Sequence, residues 1–224
     1  MTTSTTAVIP LDQQIETYVR LGYPALAGLD EEGFREIASR AVAAASAAAS
    51  AAQASSGDAP GLSALLVVTS PLIAPEARVP LLRLPGSEVP GFVDRNHDSD
   101  ARKGLSHYVP REGLAVPDAP VYVALGIERG DEFRDVAPRD ALPVIAGRGR
   151  SPLTIDEGIS LVTVAPELLV KNRCFMLAGS TRGDKRVPAV WIAEKAPKLG
   201  WCFEGVPHSW LGVASAAGRV GAAP

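Results

Sequence analysis

The chain holds 2 cysteines, 2 methionines, 3 tryptophans and 3 histidines among 224 residues, and aromatic residues make up only 5% of it. Two cysteines, Cys174 and Cys202, are too few for a disulfide framework and have no second pair at zinc spacing, so they read as reduced thiols. Met1 to Pro10 lacks the basic and apolar regions of an export signal. The uncharged run from Ala41 to Ala52 is short, and Ser46 and Ser50 dilute it, so no membrane span is expected. A cytoplasmic protein is the reading. No G-x-G-x-x-G motif follows a strand, no phosphate loop ends in Gly-Lys-Ser/Thr, and neither Ser180 nor Ser209 sits in a nucleophile elbow. His97, His107 and His208 have no i,i+4 partner and no neighbouring cysteine at metal spacing. Asp94, Asn96, Asp98 and Asp100 alternate like calcium ligands, yet Ser99 stands where the loop needs glycine and Leu105 where it needs glutamate. This reads as a solvated acidic loop. No metal and no cofactor are expected.

What is present is the composition of a globular chain, 46% apolar and 21% charged. The net charge of −3 is unevenly spread, because Lys171 to Arg219 contains eight basic and three acidic residues, a surplus of +5. Such asymmetry points to an anionic small-molecule ligand or an acidic partner, set against the plainer reading of ordinary surface lysines and arginines. Nucleic acid is disfavoured, since no recognition motif accompanies the charge.

Residues 1–10 read as a disordered tail and 11–61 as an N-terminal helical arm with its linker. In the arm, Leu11, Ile15, Tyr18 and Val19 recur at helical spacing before Gly22, and Asp30 caps a second helix carrying Phe34, Ile37 and Ala41. The alanine-rich end of that helix has little to bury and is expected on the surface. Residues 62–221 form the main domain. Strands are expected at Ala64–Thr69, Val79–Leu84 and Val121–Ile127, a short helix at Pro138–Ala146, and loop-rich β structure between Pro71 and Pro120. Thr154 and Glu157 form a capping box that opens a helix through Val164. Arg173–Ala178 and Val187–Ala193 read as a hairpin, and Trp201–Phe203 as a further short strand. The fold class is therefore α+β, a mixed and largely antiparallel sheet with an N-terminal helical arm.

All the tryptophans and both cysteines fall between Cys174 and Trp210. Trp191, Trp201, Trp210, Arg186, Arg219 and Cys202 are accordingly the candidate ligand-binding residues, as rings beside a few polar groups are what a pocket needs. His208 is the candidate acid/base, paired with Glu157, whose carboxylate at a helix N-terminus would raise the imidazole pKa. The competing reading makes the tryptophans core and His208 a structural residue.

Longer motifs run through the same half: Arg150-Ser151-Pro152-Leu153-Thr154, Asp156-Glu157-Gly158, Cys174-Phe175, Arg186-Val187-Pro188-Ala189 with Trp191, and Pro197-Lys198-Leu199-Gly200-Trp201-Cys202 followed by Pro207, His208 and Trp210-Leu211-Gly212. They resemble an actinobacterial family of unknown function, domain of unknown function 5701, most strongly over residues 117–220. The resemblance implies a bacterial cytosolic protein and assigns no activity. The functional expectation is a small-molecule-binding protein, with acid/base enzyme chemistry as one form of it. The alternative is a non-catalytic interaction module or homodimer.

Overall fold

The computed structural model of the chain describes residues 7–51, 61–95 and 104–222. The tail through Thr6, most of the expected linker, and Asn96, His97, Asp98 and Asp100 of the acidic loop lie outside them. The described elements are helices and short antiparallel and mixed sheets, an α+β fold.

Helix α1 (Leu11–Arg20) stops where expected, with Gly22 at φ +81°, and leads into the short α2 (Tyr23–Leu26). In α3 (Glu31–Ala51) the Asp30 side chain accepts from the Gly33 amide at 2.8 Å, which satisfies one of the free donors of the first turn. Strand β1 (Gly61–Val68) carries the first apolar run. Val79–Leu81 is a 3-10 turn after helix α4 (Pro75–Arg78), where the sequence suggested a strand. Pro80 has no amide to give a ladder, and its φ suits a helical turn. The proline-rich middle adds only the two-residue strands β2 (Phe92–Val93) and β3 (Val109–Pro110). Next come β4 (Val121–Glu128), α5 (Pro138–Gly147, with Pro143 inside it), β5 (Ser151–Pro152) and α6 (Ile155–Val164). The C-terminal part is β-rich: β6 (Cys174–Met176), β7 (Ser180–Thr181), β8 (Arg186–Ala193), β9 (Ala196–Phe203), β10 (Leu211–Val213), β11 (Ser215–Ala216) and β12 (Gly218–Gly221).

One sheet has the order β1-β4-β11-β5, all antiparallel, with β12 also on β4. A second runs β10-β6-β8-β9-β2, antiparallel at its centre and parallel at both ends. Strands β3 and β7 make a small antiparallel pair beside them. Helix α6 lies against β1 and also touches β8, and all its residues except Asp156 are buried. Tyr122 of β4 and Arg219 of β12 turn towards this helix, which leaves the other face of those strands to α3.

That packing extends to the N-terminal helices. The alanine-rich end of α3 is not all surface, because Ala41 and Ala45 are buried along β4 and β12. Alanine brings little apolar area, but its small side chain lets helix and sheet approach closely. The N-terminal helices also share the main core, with Tyr18, Tyr23 and Phe34 wholly buried in it. They seal the outer edge of β1, which would otherwise offer unpaired backbone groups. Ala7 bridges to Leu62, the Gln14 carboxamide donates to Ala64 O and accepts from the Leu66 amide, and the Tyr18 hydroxyl donates to Leu66 O. Further along, Ser160 Oγ accepts from the Val68 amide, Arg78 donates to Val68 O, and Asp156 accepts from the Ser70 amide.

All 4 tyrosines of the chain carry phenols shifted in one direction. Burial raises Tyr18 and Tyr23, raises Tyr122 well above the ordinary value with the Glu157 carboxylate adding to it, and pushes Tyr108 up to about 12 against the opposing pull of Arg182. Each phenol holds its proton more tightly folded than unfolded. Their contribution to stability is therefore complete below the ordinary pKa of 10.0 and is lost as pH rises through the folded values. We expect no phenolate absorbance step near pH 10 in the native protein, and a single step for all four at alkaline unfolding. A phenol titrating at its ordinary value before unfolding would contradict this packing.

Candidate functional site

The residues singled out in the sequence fall into three places. Glu157 and Arg219 meet below the first turn of α6, both inaccessible, with side-chain exposures of 0% and 3%. Arg219 donates to Glu157 from Nε at 2.5 Å and from Nη2 at 2.9 Å, and also to Ser151 Oγ and Pro152 O. The Glu157 carboxylate further accepts from the Tyr122 hydroxyl at 2.9 Å and from the Thr154 amide at 2.7 Å. The expected capping box is formed, with the Glu157 amide donating to Thr154 Oγ1.

His208 is elsewhere. Its ring packs edge-on against Trp210 with centroids 5.5 Å apart, its carbonyl accepts from the Asp135 amide, and its buried Nε2 has no partner among the described residues. Burial lowers its pKa, the opposite of what a neighbouring carboxylate would do. The hydrogen bonds of Glu157 go to Tyr122, Thr154 and Arg219, so the pairing of His208 with Glu157 is not formed. Sequence reasoning recognised both side chains and could not see that Arg219, 62 residues on, takes the acid.

The aromatic residues do not line one pocket, because the β pleat separates them. In the β8–β9 ladder Trp191 opposes Lys198 and Val187 opposes Cys202, while the intervening residues place Trp201 opposite Pro188 and Phe203 opposite Arg186. Alternation puts Trp191 and Cys202 on one face and Trp201 and Arg186 on the other. On the first face Trp191 meets Trp210 edge-on at 5.8 Å, beside a shallow hollow of about 300 Å³ that Lys171, Asn172 and Cys174 also line. On the second the Arg186 guanidinium lies over Trp201, 4.4 Å from the ring centre.

Several of the basic residues from Lys171 to Arg219 have partners within the chain: Arg182 and Arg186 pair with Asp184 of the same segment, and Lys198 and Arg219 with Asp94 (2.6 Å) and Glu157 outside it. Cys202 lies under the sheet with Sγ 3.1 Å from Met176 Sδ, and burial pushes its thiol up to about 12 and raises Cys174 as well. Thiolate is the reactive form. Both thiols are expected to resist a disulfide-exchange reagent in the native protein and to react together on unfolding; fast native labelling of either would show an open site.

A concavity of about 530 Å³ lies over the first turn of α6, within the range of small-molecule sites. Five segments separated in sequence meet there: Thr69 to Glu76 after β1, Ser106 to Pro110, Val116 to Tyr122, Thr154 to Asp156, and Ser180 of β7. Prolines 71, 75, 110 and 117 and the rings of Tyr108 and Tyr122 make apolar walls. Ser70, Ser180 and three carboxylates, Glu76, Asp118 and Asp156, supply polar groups, and among the described residues no lysine, arginine or histidine lines it. Asp156 is held by the Ser70 amide at 2.8 Å, by the Ser70 hydroxyl at 2.5 Å and by the buried Arg78 guanidinium behind it. At the helix start the Ile155 amide donates to Ser180 Oγ at 2.9 Å, while the Asp156 amide meets no acceptor among the described residues. Of this lining, only the capped helix start at Thr154 was singled out from the sequence. Thr69-Ser70-Pro71 directly after an apolar run, and Asp156 in a capped first turn, were the available signals.

No cluster of three or more histidine, cysteine or acidic residues able to hold a metal ion occurs among the described residues. No described helix is long and apolar enough to cross a membrane.

Fold and site together define an α+β protein built around a buried capped helix, with a hydroxyl- and carboxylate-lined cavity at that helix's start. Residues 17–222 match the family of unknown function DUF5701, and the chain belongs to that family. No curated protein and no solved structure matches it.

Proposed function

We propose that the protein binds a small molecule in the cavity over α6. The observation that carries this is the cavity itself, about 530 Å³ of apolar walls with polar groups gathered at one helix start. The C-terminal aromatic region supports the reading less well, since its rings lie on two faces of a sheet. The lining also argues against the anionic ligand suggested by the charge distribution. An anion would face three carboxylates, one of them already matched by Arg78, with no further cation among the described lining residues. Acid/base catalysis at His208 and Glu157 loses its support with their separation. Two buried, unpaired thiols fit a reducing cytoplasmic setting.

The test is a small-molecule screen by thermal shift, with hits repeated on Ala74→Trp, which places an indole into the cavity from an exposed position, and on His208→Ala and Trp191→Ala. Hits lost at least tenfold in Ala74→Trp and kept in the other two are expected. Hits lost in the His208 or Trp191 variants and kept in Ala74→Trp would move the site to the aromatic hollow and end this reading.

A second reading, an interaction or homodimer module, is favoured by Phe203 and Val206, apolar side chains 46% and 43% exposed beside the Arg186–Trp201 stack. Sizing at rising concentration decides the homodimer form, and a constant monomer would remove it.

A further inference from the structure

We propose that the cavity selects a protonated amine carried on a flat apolar body with an oxygen acceptor at its far end; this rests on the cavity being the binding site. The argument follows the cavity from mouth to floor. Glu76 and Asp118 line it and are exposed, which places two carboxylates at the mouth. Among the described residues no basic side chain in the lining answers them, and Arg78 is committed to Asp156. These two carboxylates make the described mouth negative, and low-dielectric walls of proline and tyrosine strengthen that field for a cation entering between them.

At the floor the chemistry reverses. Ser180 is only 1% exposed and lines the cavity; its oxygen accepts from the Ile155 amide, and its own proton meets no acceptor among the described residues. A buried hydroxyl of this kind gains a hydrogen bond only if a ligand brings an acceptor. The Asp156 amide, likewise without an acceptor, is the second donor there. Between these ends the Tyr108 and Tyr122 rings and the prolines present apolar surface to a flat group. A ligand with an amine at one end and a phenol, carbonyl or hydroxyl at the other satisfies both ends at once. An anion with the same body meets the wrong charge at the mouth.

Three compounds with one skeleton separate the terms: tyramine, tyrosol and 4-hydroxyphenylacetate share the phenol and differ in ending in an amine, an alcohol or a carboxylate. Calorimetric titration of the full chain is expected to rank them in that order, with tyramine about five- to tenfold tighter than tyrosol, as two exposed carboxylates would give. Added salt should shrink the preference. The double variant Glu76→Gln, Asp118→Asn changes only exposed side chains; it should abolish the preference and leave tyrosol binding unchanged. Tyrosol or 4-hydroxyphenylacetate binding as tightly as tyramine would overturn the amine inference, and if Ala74→Trp removes that binding the cavity reading survives. Binding of none of the three would overturn the inference, and tyramine binding that persists in Ala74→Trp would overturn it together with the cavity reading.

Discussion

Arg219→Met should cost the protein about 3–5 kcal/mol of stability, because it strips the counter-charge from a carboxylate that no water can reach. Glu157 is 0% exposed and Arg219 holds it through two guanidinium nitrogens, while Tyr122 and the Thr154 amide complete its hydrogen bonds. After the substitution the acid keeps its neutral donors and loses its cation. The melting temperature should fall by roughly 10 °C, a shift expected for that loss in a chain of this size. Adding Glu157→Gln to Arg219→Met should recover much of the loss. The Ser151 and Pro152 acceptors would also lose their donor, so recovery should stay incomplete. A single variant that melts within a degree or two of the parent, in paired thermal scans, would mean that the pair contributes little. Because Arg219 also ties β12 to β5 and α6, the effect should appear as global unfolding rather than fraying of the C-terminal strand.

Gly158→Ala is the second large effect, and its sign opposes local propensity. In an exposed helix this change stabilises by about 1 kcal/mol. Here a Cβ at Gly158 would stand 2.3 and 2.4 Å from the two Leu177 methyl carbons and 2.9 Å from its Cγ. Leu177 is wholly buried and has nowhere to move. Overpacking of this kind costs about 1–3 kcal/mol, so we expect a net destabilisation near 2 kcal/mol in denaturant titration. The double variant Gly158→Ala, Leu177→Ala should show a favourable coupling between the two sites, since the second change makes room for the first. A stabilised Gly158→Ala would show that α6 and the β6–β7 connection are not packed this closely.

Both effects converge on α6, whose start was the clearest feature of the sequence. Thr154 and Glu157 announce the capping box because its two hydrogen bonds join residues three apart, within reach of local reading. The β1 and β4 runs, the α3 start at Asp30 and the β6–β8 hairpin were legible for the same reason: apolar periodicity, caps and turn residues act over a few positions. Val79–Leu84 was misread where apolar composition and a proline pointed in different directions. The end of α3 was misread because alanine burial depends on how closely another element comes, and no spacing within the helix records that.

What the sequence determined by itself was therefore the longer helices and several of the central strands, the α+β class and the capped, acidic start of α6. The tertiary structure alone decided which side chains meet. It gave Glu157 to Arg219 instead of His208, and a two-residue pleat put Trp191 and Trp201, ten positions apart in neighbouring strands, on opposite faces. It also assembled a cavity from Ser70, Tyr108, Asp118, Asp156 and Ser180, residues spread over half the chain, none of which marks a site alone. Hydrogen bonds and van der Waals contacts act over a few ångströms, so a site is a fact of distance in space. Sequence spacing reports that distance only within a helix turn or a strand pair, and here the chain returns to one place from five separate segments.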